Sequence, residues 1–148
     1  MTDTYFGAYH KVTINRDFVL KEQLDTRPGD LIAREIAILN LLQTTTHPTR
    51  FPRVLETGDT WFKMENKGIP IELRISFRSQ LDEISQCLDE VNVVHGAISR
   101  FNMVEKDGYL SLIDFDHAYV RGSSTLRRFF VPKTEREQLT QVFSRATI

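Results

Sequence analysis

Two side chains with oxygen atoms flank a predicted β-hairpin in the second half of the chain. Asn102 precedes the apolar pair 103–104, and Asp114 follows the apolar run 110–113, with a turn at 106–108 between the two runs. Because the strands of a hairpin lie side by side, we expect Asn102 and Asp114 to face one site. Amide and carboxylate oxygens are ligands that Mg²⁺ accepts. The spacing therefore makes Asn102 and Asp114 candidate ligands of one cation.

The composition limits the class of protein. The 148 residues, of which 41% are hydrophobic and 26% charged, predict one domain of the soluble globular class. A net charge of -1 argues against a nucleic-acid-binding protein that relies on bulk positive charge. The single cysteine, Cys87, excludes an intrachain disulfide, and we expect it to face the core. No signal peptide or apolar run of roughly 18 residues is present, so we expect a cytoplasmic protein that binds no membrane.

Hydrophobic periodicity and turn residues predict the elements that position these side chains. The predicted strands outside the hairpin are 10–14, 18–24, 53–57 and 61–65, and residues 66–70 are predicted to be a connector. The predicted helices run from an N-cap at Asp30 to Leu42, over 75–91, and over about 133–145. This order of strands and helices indicates an α+β fold.

The region around this hairpin resembles the catalytic core of the protein-kinase-like fold. The family pattern is a His, an Asp two residues later, an Asn five residues after that Asp, and then a strand that ends in Asp-Phe-Gly. His95 and Asn102 have this separation, and Asp114-Phe115 follows on the far side of the hairpin. The resemblance implies that His95 is structural and that Asn102 and Asp114 hold Mg²⁺ on the phosphates of a nucleotide.

Segments upstream fit the same family template. The strand that contains Lys21 resembles the one that supplies the phosphate-binding lysine, and Glu35 resembles the helix glutamate that pairs with it. Met64, Glu65 and Asn66 fall where the hinge of the family contacts adenine. The resemblance therefore implies a nucleotide site at these five residues, with ATP and Mg²⁺ as candidate cofactors.

The resemblance also implies two lobes within one domain. Residues 1–66 would form a small β-sheet N-lobe with one helix, and residues 67–148 a truncated helical C-lobe that carries the hairpin. Gly7 is the one glycine where the glycine-rich loop has three, and only six residues precede it. We therefore expect no full first strand and no flap over the phosphates. The chain ends 32 residues after Asp116, so we expect the activation loop and the helical substrate-binding subdomain to be missing.

Three departures from the pattern affect chemistry. Ala97 stands at the position of the catalytic-loop Asp, and a methyl group cannot accept a proton from a substrate hydroxyl. Ser99 stands where a phosphate-neutralising Lys is common. Asp116 replaces the Gly of Asp-Phe-Gly, as in small atypical kinases and lipopolysaccharide-kinase-like proteins. Retained ligand groups without the base predict a minimal kinase-like pseudokinase.

The expected function is that of a protein-binding or regulatory module with ATP as a candidate ligand. The alternative is an active minimal kinase or an AMP-transferring enzyme that uses a non-standard base, for which Asp116 and Asp89 are the candidates. A third alternative is a decoy that mimics a kinase lobe and competes for the partners of a kinase.

Candidate partner-binding residues lie near the C-terminus. Two cations beside two aromatic side chains have the composition of interface hot spots, and these residues are Arg127, Arg128, Phe129 and Phe130. The simpler interpretation is that the two aromatic residues anchor the C-terminal segment to the core. We expect a protein partner and no nucleic acid, with a homodimer as one candidate assembly.

Overall fold

The structure is a computed structural model that describes residues 2–7, 9–24, 31–70, 77–98, 102–123 and 126. Its mixture of antiparallel sheets and two helices confirms the predicted α+β class. The predicted N-cap Asp30, Ser99, the basic-aromatic residues 127–130 and the predicted helix 133–145 lie outside the described residues.

A five-stranded antiparallel sheet forms the N-terminal half. Its strands lie in the order β1-β2-β3-β5-β4, with bounds β1 Asp3–Phe6, β2 His10–Ile14, β3 Phe18–Gln23, β4 Val54–Thr57 and β5 Trp61–Glu65. The four predicted strands are confirmed to within a residue at either end. Lys21 lies opposite Val12 of β2 and Phe62 of β5, which places it in the central strand of the sheet.

β1 bears on the expectation that no full first strand forms, because a strand of four residues is present here. Residues 3–6 pair with β2 from Asp3 opposite Ile14 to Phe6 opposite Lys11. All four side chains of β1 are exposed. The strand is therefore held by backbone pairing with β2. Because it has no buried face, hydrophobic periodicity could not have predicted it.

Helix α1, Leu31–Leu42, follows β3 and confirms the predicted helix. The side chain of Gln23 in β3 accepts a hydrogen bond from the backbone N–H of Ile32 at 3.2 Å, which ties the helix start to the sheet. The buried face carries leucine and isoleucine residues together with Glu35. A carboxylate within an apolar stripe needs a cationic partner, and the sheet supplies one.

The second half combines short strands with one helix. The elements are β6 Ile69–Pro70, α2 Arg78–Glu90, β7 Val93–Val94, β8 Met103–Lys106, β9 Tyr109–Leu112 and β10 Tyr119–Val120. The predicted hairpin is confirmed as β8 and β9. Within the predicted connector, residues 69–70 instead form β6, which pairs with β8. β7 and β10 form a separate antiparallel pair that the sequence pattern did not indicate.

One core connects the two halves. Fully buried side chains come from α1, β5, α2 and the hairpin, and they include Ile38, Phe62, Leu88, Met103 and Leu112. Cys87 is buried in this core as expected. Within the described ranges, no helix has the length and apolar character to cross a membrane.

Candidate functional site

A cavity of about 550 Å³ opens between the N-terminal sheet and the hairpin. Its apolar walls include Val12 and Val19 from β2 and β3, and Val104 and Ile113 from β8 and the end of the hairpin. A flat apolar group fits between two such walls, because it buries both of its faces. The polar lining residues come mainly from residues 65–67 at the end of β5 and from the segment after β9, and β3 adds Lys21.

Lys21 joins three segments of the chain inside the cavity. Its Nζ atom lies 2.8 Å from Glu35 Oε1 on α1 and 3.1 Å from Asp114 Oδ1. Lys21 is 3% exposed and Glu35 is 1% exposed. Burial opposes the charged form of Lys21, but the charges of Asp114, Glu35 and Asp116 outweigh it and hold the pKa of Lys21 above its usual range. The structure thus brings together the lysine and glutamate that the resemblance pairs.

Glu35 also reaches the segment after the hairpin. The backbone N–H of Phe115 donates to Glu35 Oε2 at 3.0 Å. The Phe115 ring is buried and packs edge-on against Phe51 and His95, with centroid distances of 6.0 and 4.7 Å. One carboxylate therefore fixes both Lys21 and the backbone between Asp114 and Asp116.

Asp114 and Asn102 fit a Mg²⁺ ion. Asn102 uses its Nδ2 atom to donate to the Ala97 carbonyl at 2.7 Å, which leaves its Oδ1 atom for a cation. Asp114 has a positive φ of 64°, a left-handed conformation that Asp tolerates better than most non-glycine residues. Among the described residues, no group of three or more His, Cys, Asp and Glu could hold a metal alone. Phosphate oxygens would have to complete the coordination, as is usual for Mg²⁺.

The electrostatic surroundings of Asp114 differ from those of Asp116. Desolvation, opposed by Lys21 and supported by the neighbouring Asp116, raises the pKa of Asp114 above its usual range. Burial also disfavours ionised Asp116, but Lys21 and the hydrogen bonds from Asp114 and His10 outweigh it and hold the pKa of Asp116 well below its usual range. Within this pair, Lys21 and His10 therefore favour the ionised form at Asp116, and desolvation favours the protonated form at Asp114, so that the two pKa values are driven apart.

Ala97 lines the cavity at the position of the missing catalytic Asp. Its backbone N–H donates to His95 Nδ1 at 3.1 Å, and His95 Nε2 donates to the Ile113 carbonyl at 2.8 Å. Both contacts require the neutral tautomer that carries its proton on Nε2. His95 is fully buried, and this burial lowers its pKa to about 4. His95 thus acts as a structural residue that holds the loop beneath the cavity.

His95 makes the stability of the fold sensitive to acid. Its pKa is about 4 when folded and about 6.5 when unfolded, so the unfolded chain binds the proton first as pH falls. We expect the contribution of His95 to be complete above about pH 7.5 and to be about 2 kcal/mol smaller by pH 5. Urea unfolding at both pH values measures the change. His95→Gln is the control, since its free energy of unfolding should fall less over the same range. An equal fall in both proteins would contradict the assignment.

The three hinge residues of the resemblance line the cavity, but two of their side chains are engaged within the protein. Glu65 Oε1 accepts from the Arg53 backbone N–H at 2.8 Å. Asn66 donates to the Asn15 carbonyl at 2.7 Å and accepts from the Gly68 backbone N–H at 3.0 Å. Met64 is 5% exposed and closes the back of the cavity. Glu65 and Asn66 therefore use their side chains to hold this segment in place.

The sequence interpretation missed His10. Its Nδ1 atom lies 3.3 Å from Asp116 Oδ2, so it bridges β2 and the segment after β9. A signal was present, since Gly7 and Val12 have the spacing of the family pattern G-x-G-x-x-G-x-V, with His10 at its last glycine. Asp89, which was one candidate for a replacement base, is not among the cavity residues. It lies on α2 and contacts Arg121 at 3.6 Å, with 68% of its side chain exposed.

Solved structures of protein kinases share this architecture. The Rio2 kinase from Chaetomium thermophilum, in a complex described as ADP/Mg²⁺-phosphoaspartate, has a TM-score of 0.64 at 15% identity and is matched over 84% of this chain and 49% of that chain. Another structure of the same kinase has a TM-score of 0.64 at 16% identity, over 95% and 62% of the two chains. A further kinase domain has a TM-score of 0.65 at 11% identity, over 82% and 51%.

These likenesses show the fold. The chain has a protein-kinase-like fold, as the sequence resemblance implied. It spans between 49% and 62% of the length of these three chains. No protein-family model and no curated protein matches the sequence.

Proposed function

We propose that this kinase-like protein binds a purine nucleotide in its cavity, with ATP and Mg²⁺ as candidate ligands, and acts as a regulatory module without transferring a phosphoryl group. The observation that carries the proposal is one cavity lined by Lys21 and Asp114, with Glu35 paired to Lys21, in which Ala97 stands at the position that the family pattern gives to the base. Ligand groups are retained, and the proton acceptor is lost.

The cavity has suitable surfaces for each part of a nucleotide. A purine ring fits between the valine-rich walls, where Val19 and Val104 lie on opposite sides. Lys21 supplies a buried positive charge toward a phosphate. Asn102 and Asp114 would hold Mg²⁺, which neutralises phosphate charge when bound.

The case against phosphoryl transfer rests on the groups that could accept a proton. Ala97 offers only a methyl group toward the cavity. Asp116 is the remaining carboxylate beside Asp114, but a strongly depressed pKa makes a carboxylate a weak base. Its contact with His10 also holds it within the protein. Neither residue is therefore suited to take a proton from a hydroxyl group.

An active minimal kinase or AMP-transferring enzyme is the second candidate. The observation in its favour is that Asp116 lines the cavity, where it is the available substitute for the missing base. Positioning and metal electrostatics supply most of the catalysis of phosphoryl transfer, so a weak base does not abolish turnover. Incubation with α-labelled and γ-labelled ATP separates the candidates, because AMP transfer and phosphoryl transfer leave different labels on the acceptor.

The regulatory part of the proposal calls for a protein partner. Large apolar side chains on the surface support this class of partner, since Phe6 and Ile69 are 71% and 68% exposed. The net charge of -1 gives no bulk attraction for nucleic acid or an anionic membrane. Association with a second copy of the chain is the simplest case, and sedimentation measures it.

Nucleotide binding is tested by thermal and urea unfolding with adenosine, ADP and ATP, each with Mg²⁺ or Mn²⁺. A ligand at 100 times its dissociation constant should add about 2.7 kcal/mol to the free energy of unfolding. We expect Asp114→Asn to lose the metal-dependent part of this gain. Asp89→Asn, an exposed change on α2, is the matched control and should keep it. Absence of any gain at millimolar concentrations of all three ligands would overturn nucleotide binding, and robust label transfer would overturn the non-catalytic assignment.

A further inference from the structure

Two positions that are glycine in the kinase pattern carry side chains here, and those side chains meet. His10 stands at the last glycine of the phosphate-covering loop, and Asp116 stands at the glycine of Asp-Phe-Gly. Glycine in the loop lets the backbone approach phosphate groups closely. Both residues line the cavity at the end that holds Lys21 and Asp114.

The contact between His10 and Asp116 is buried. Their side chains are 4% and 17% exposed, and Nδ1 lies 3.3 Å from Oδ2. His10 Nε2 is buried and has no hydrogen-bond partner within the described part of the chain. The imidazole is therefore packed against protein on that side. The ring and the carboxylate occupy space that two glycines would leave open.

The charges at this end of the cavity also oppose phosphate. Lys21 already has two close carboxylates, Glu35 and Asp114, and the charge of Asp116 acts on it from further away. One Mg²⁺ ion at Asp114 offsets part of this negative charge. Each further phosphate adds negative charge beside Asp116, in a region of low dielectric constant where repulsion is strong.

We propose that the contact between His10 and Asp116 closes the phosphate end of the cavity, so that the site binds adenosine or AMP more tightly than ATP with Mg²⁺. This inference rests on the proposed nucleotide site and specifies its ligand class. His10 is then the residue that sets specificity. Binding of a triphosphate requires the contact to open, and the affinity for ATP is lowered by the free energy of that opening.

Isothermal titration with adenosine, AMP and ATP–Mg²⁺ tests the inference. In the unchanged protein we expect ATP–Mg²⁺ to bind at least about tenfold more weakly than AMP. His10→Gly should strengthen ATP–Mg²⁺ binding by about tenfold or more and leave adenosine binding within about threefold. Lys11→Gly is the matched control, because it places a glycine at the next residue of β2, whose side chain is not part of the cavity lining.

The outcomes separate this inference from the proposed function. Equal or tighter binding of ATP–Mg²⁺ by the unchanged protein, or an unchanged AMP-to-ATP ratio in His10→Gly, would overturn the closure and leave the nucleotide site standing. Absence of binding by all three ligands in every variant would overturn both. If His10→Gly does not fold, Asp116→Gly removes the other half of the contact and should relax the preference in the same direction.

Discussion

Replacing Glu35 by alanine is expected to lower the free energy of unfolding by about 3–5 kcal/mol, the usual cost of breaking a buried ion pair from one side. Lys21 is 3% exposed, so its ammonium would stay desolvated with only Asp114 at 3.1 Å as a close partner. The backbone N–H of Phe115 would lose its acceptor as well. Urea unfolding at neutral pH measures the loss. An unchanged dependence of the free energy of unfolding on urea concentration would show that the compactness of the folded and unfolded states is preserved.

The sheet offers a matched control for this change. Lys63 in β5 pairs with Glu56 in β4 at 3.4 Å, with side chains 34% and 58% exposed. Glu56→Ala should cost at most about 1 kcal/mol, because solvent screens the pair. The double change Lys21→Met with Glu35→Leu should recover part of the stability lost in Glu35→Ala, since the ammonium is removed together with its buried partner while Asp114 and Asp116 lose a cation. Equal losses in Glu35→Ala and Glu56→Ala would show that the buried pair is not structurally important.

Gly68→Ala is expected to disturb both the fold and the ligand site. Gly68 has a φ of 123°, and a Cβ atom there would lie 1.9 Å from the carbonyl oxygen of Glu105 in β8. The hinge and β8 would have to separate, although β6 pairs with β8 only one residue later. We expect a loss of more than about 2 kcal/mol. Since Gly68 lines the cavity, nucleotide affinity should fall with it.

Gly108→Ala isolates the backbone part of this effect. Gly108 has a φ of 81° in the hairpin turn, and no atom lies within 4 Å of the position of its Cβ. The free energy of unfolding should fall by only about 1–2 kcal/mol, the cost of a left-handed backbone conformation in an L-residue. Comparison of the two variants by urea unfolding and by ligand titration separates the cost of backbone strain from the cost of displacing β8. A loss in Gly68→Ala no larger than in Gly108→Ala would mean that the hinge adapts without moving β8.

Sequence patterns were sufficient to predict an element where its own residues form an apolar face or an explicit turn. The strands around Lys21, helix α1 and the hairpin have periodic apolar residues or explicit turn residues, and the structure contains each of them. β1 has four exposed side chains, and β6, β7 and β10 have two residues each. β6, β7 and β10 form by pairing with strands that are distant in sequence, and β1 forms by backbone pairing with the neighbouring β2, so local apolar patterns do not reveal these four elements.

The same distinction holds for the residues of the candidate site. The order of motifs was enough to nominate Lys21, Glu35 and Asp114, because their spacing follows a known template. His10 is a single imidazole at the start of a strand, and its partner Asp116 stands in a different motif far along the chain. No local signal joins two such residues. Sequence also could not show that Glu65 and Asn66 use their side chains to hold the hinge.

The two contacts of the Lys21 ammonium have very different sequence separations, 14 residues to Glu35 and 93 to Asp114. Loop-closure entropy rises with the logarithm of the separation, so the second contact costs about 2 kcal/mol more to form from an open chain. A chain that leaves the ribosome can bring Lys21 and Glu35 together early, once β3 and α1 have been made. The cavity itself waits for Asp114, and a ligand that needs all three residues can bind only after the hairpin has been synthesised.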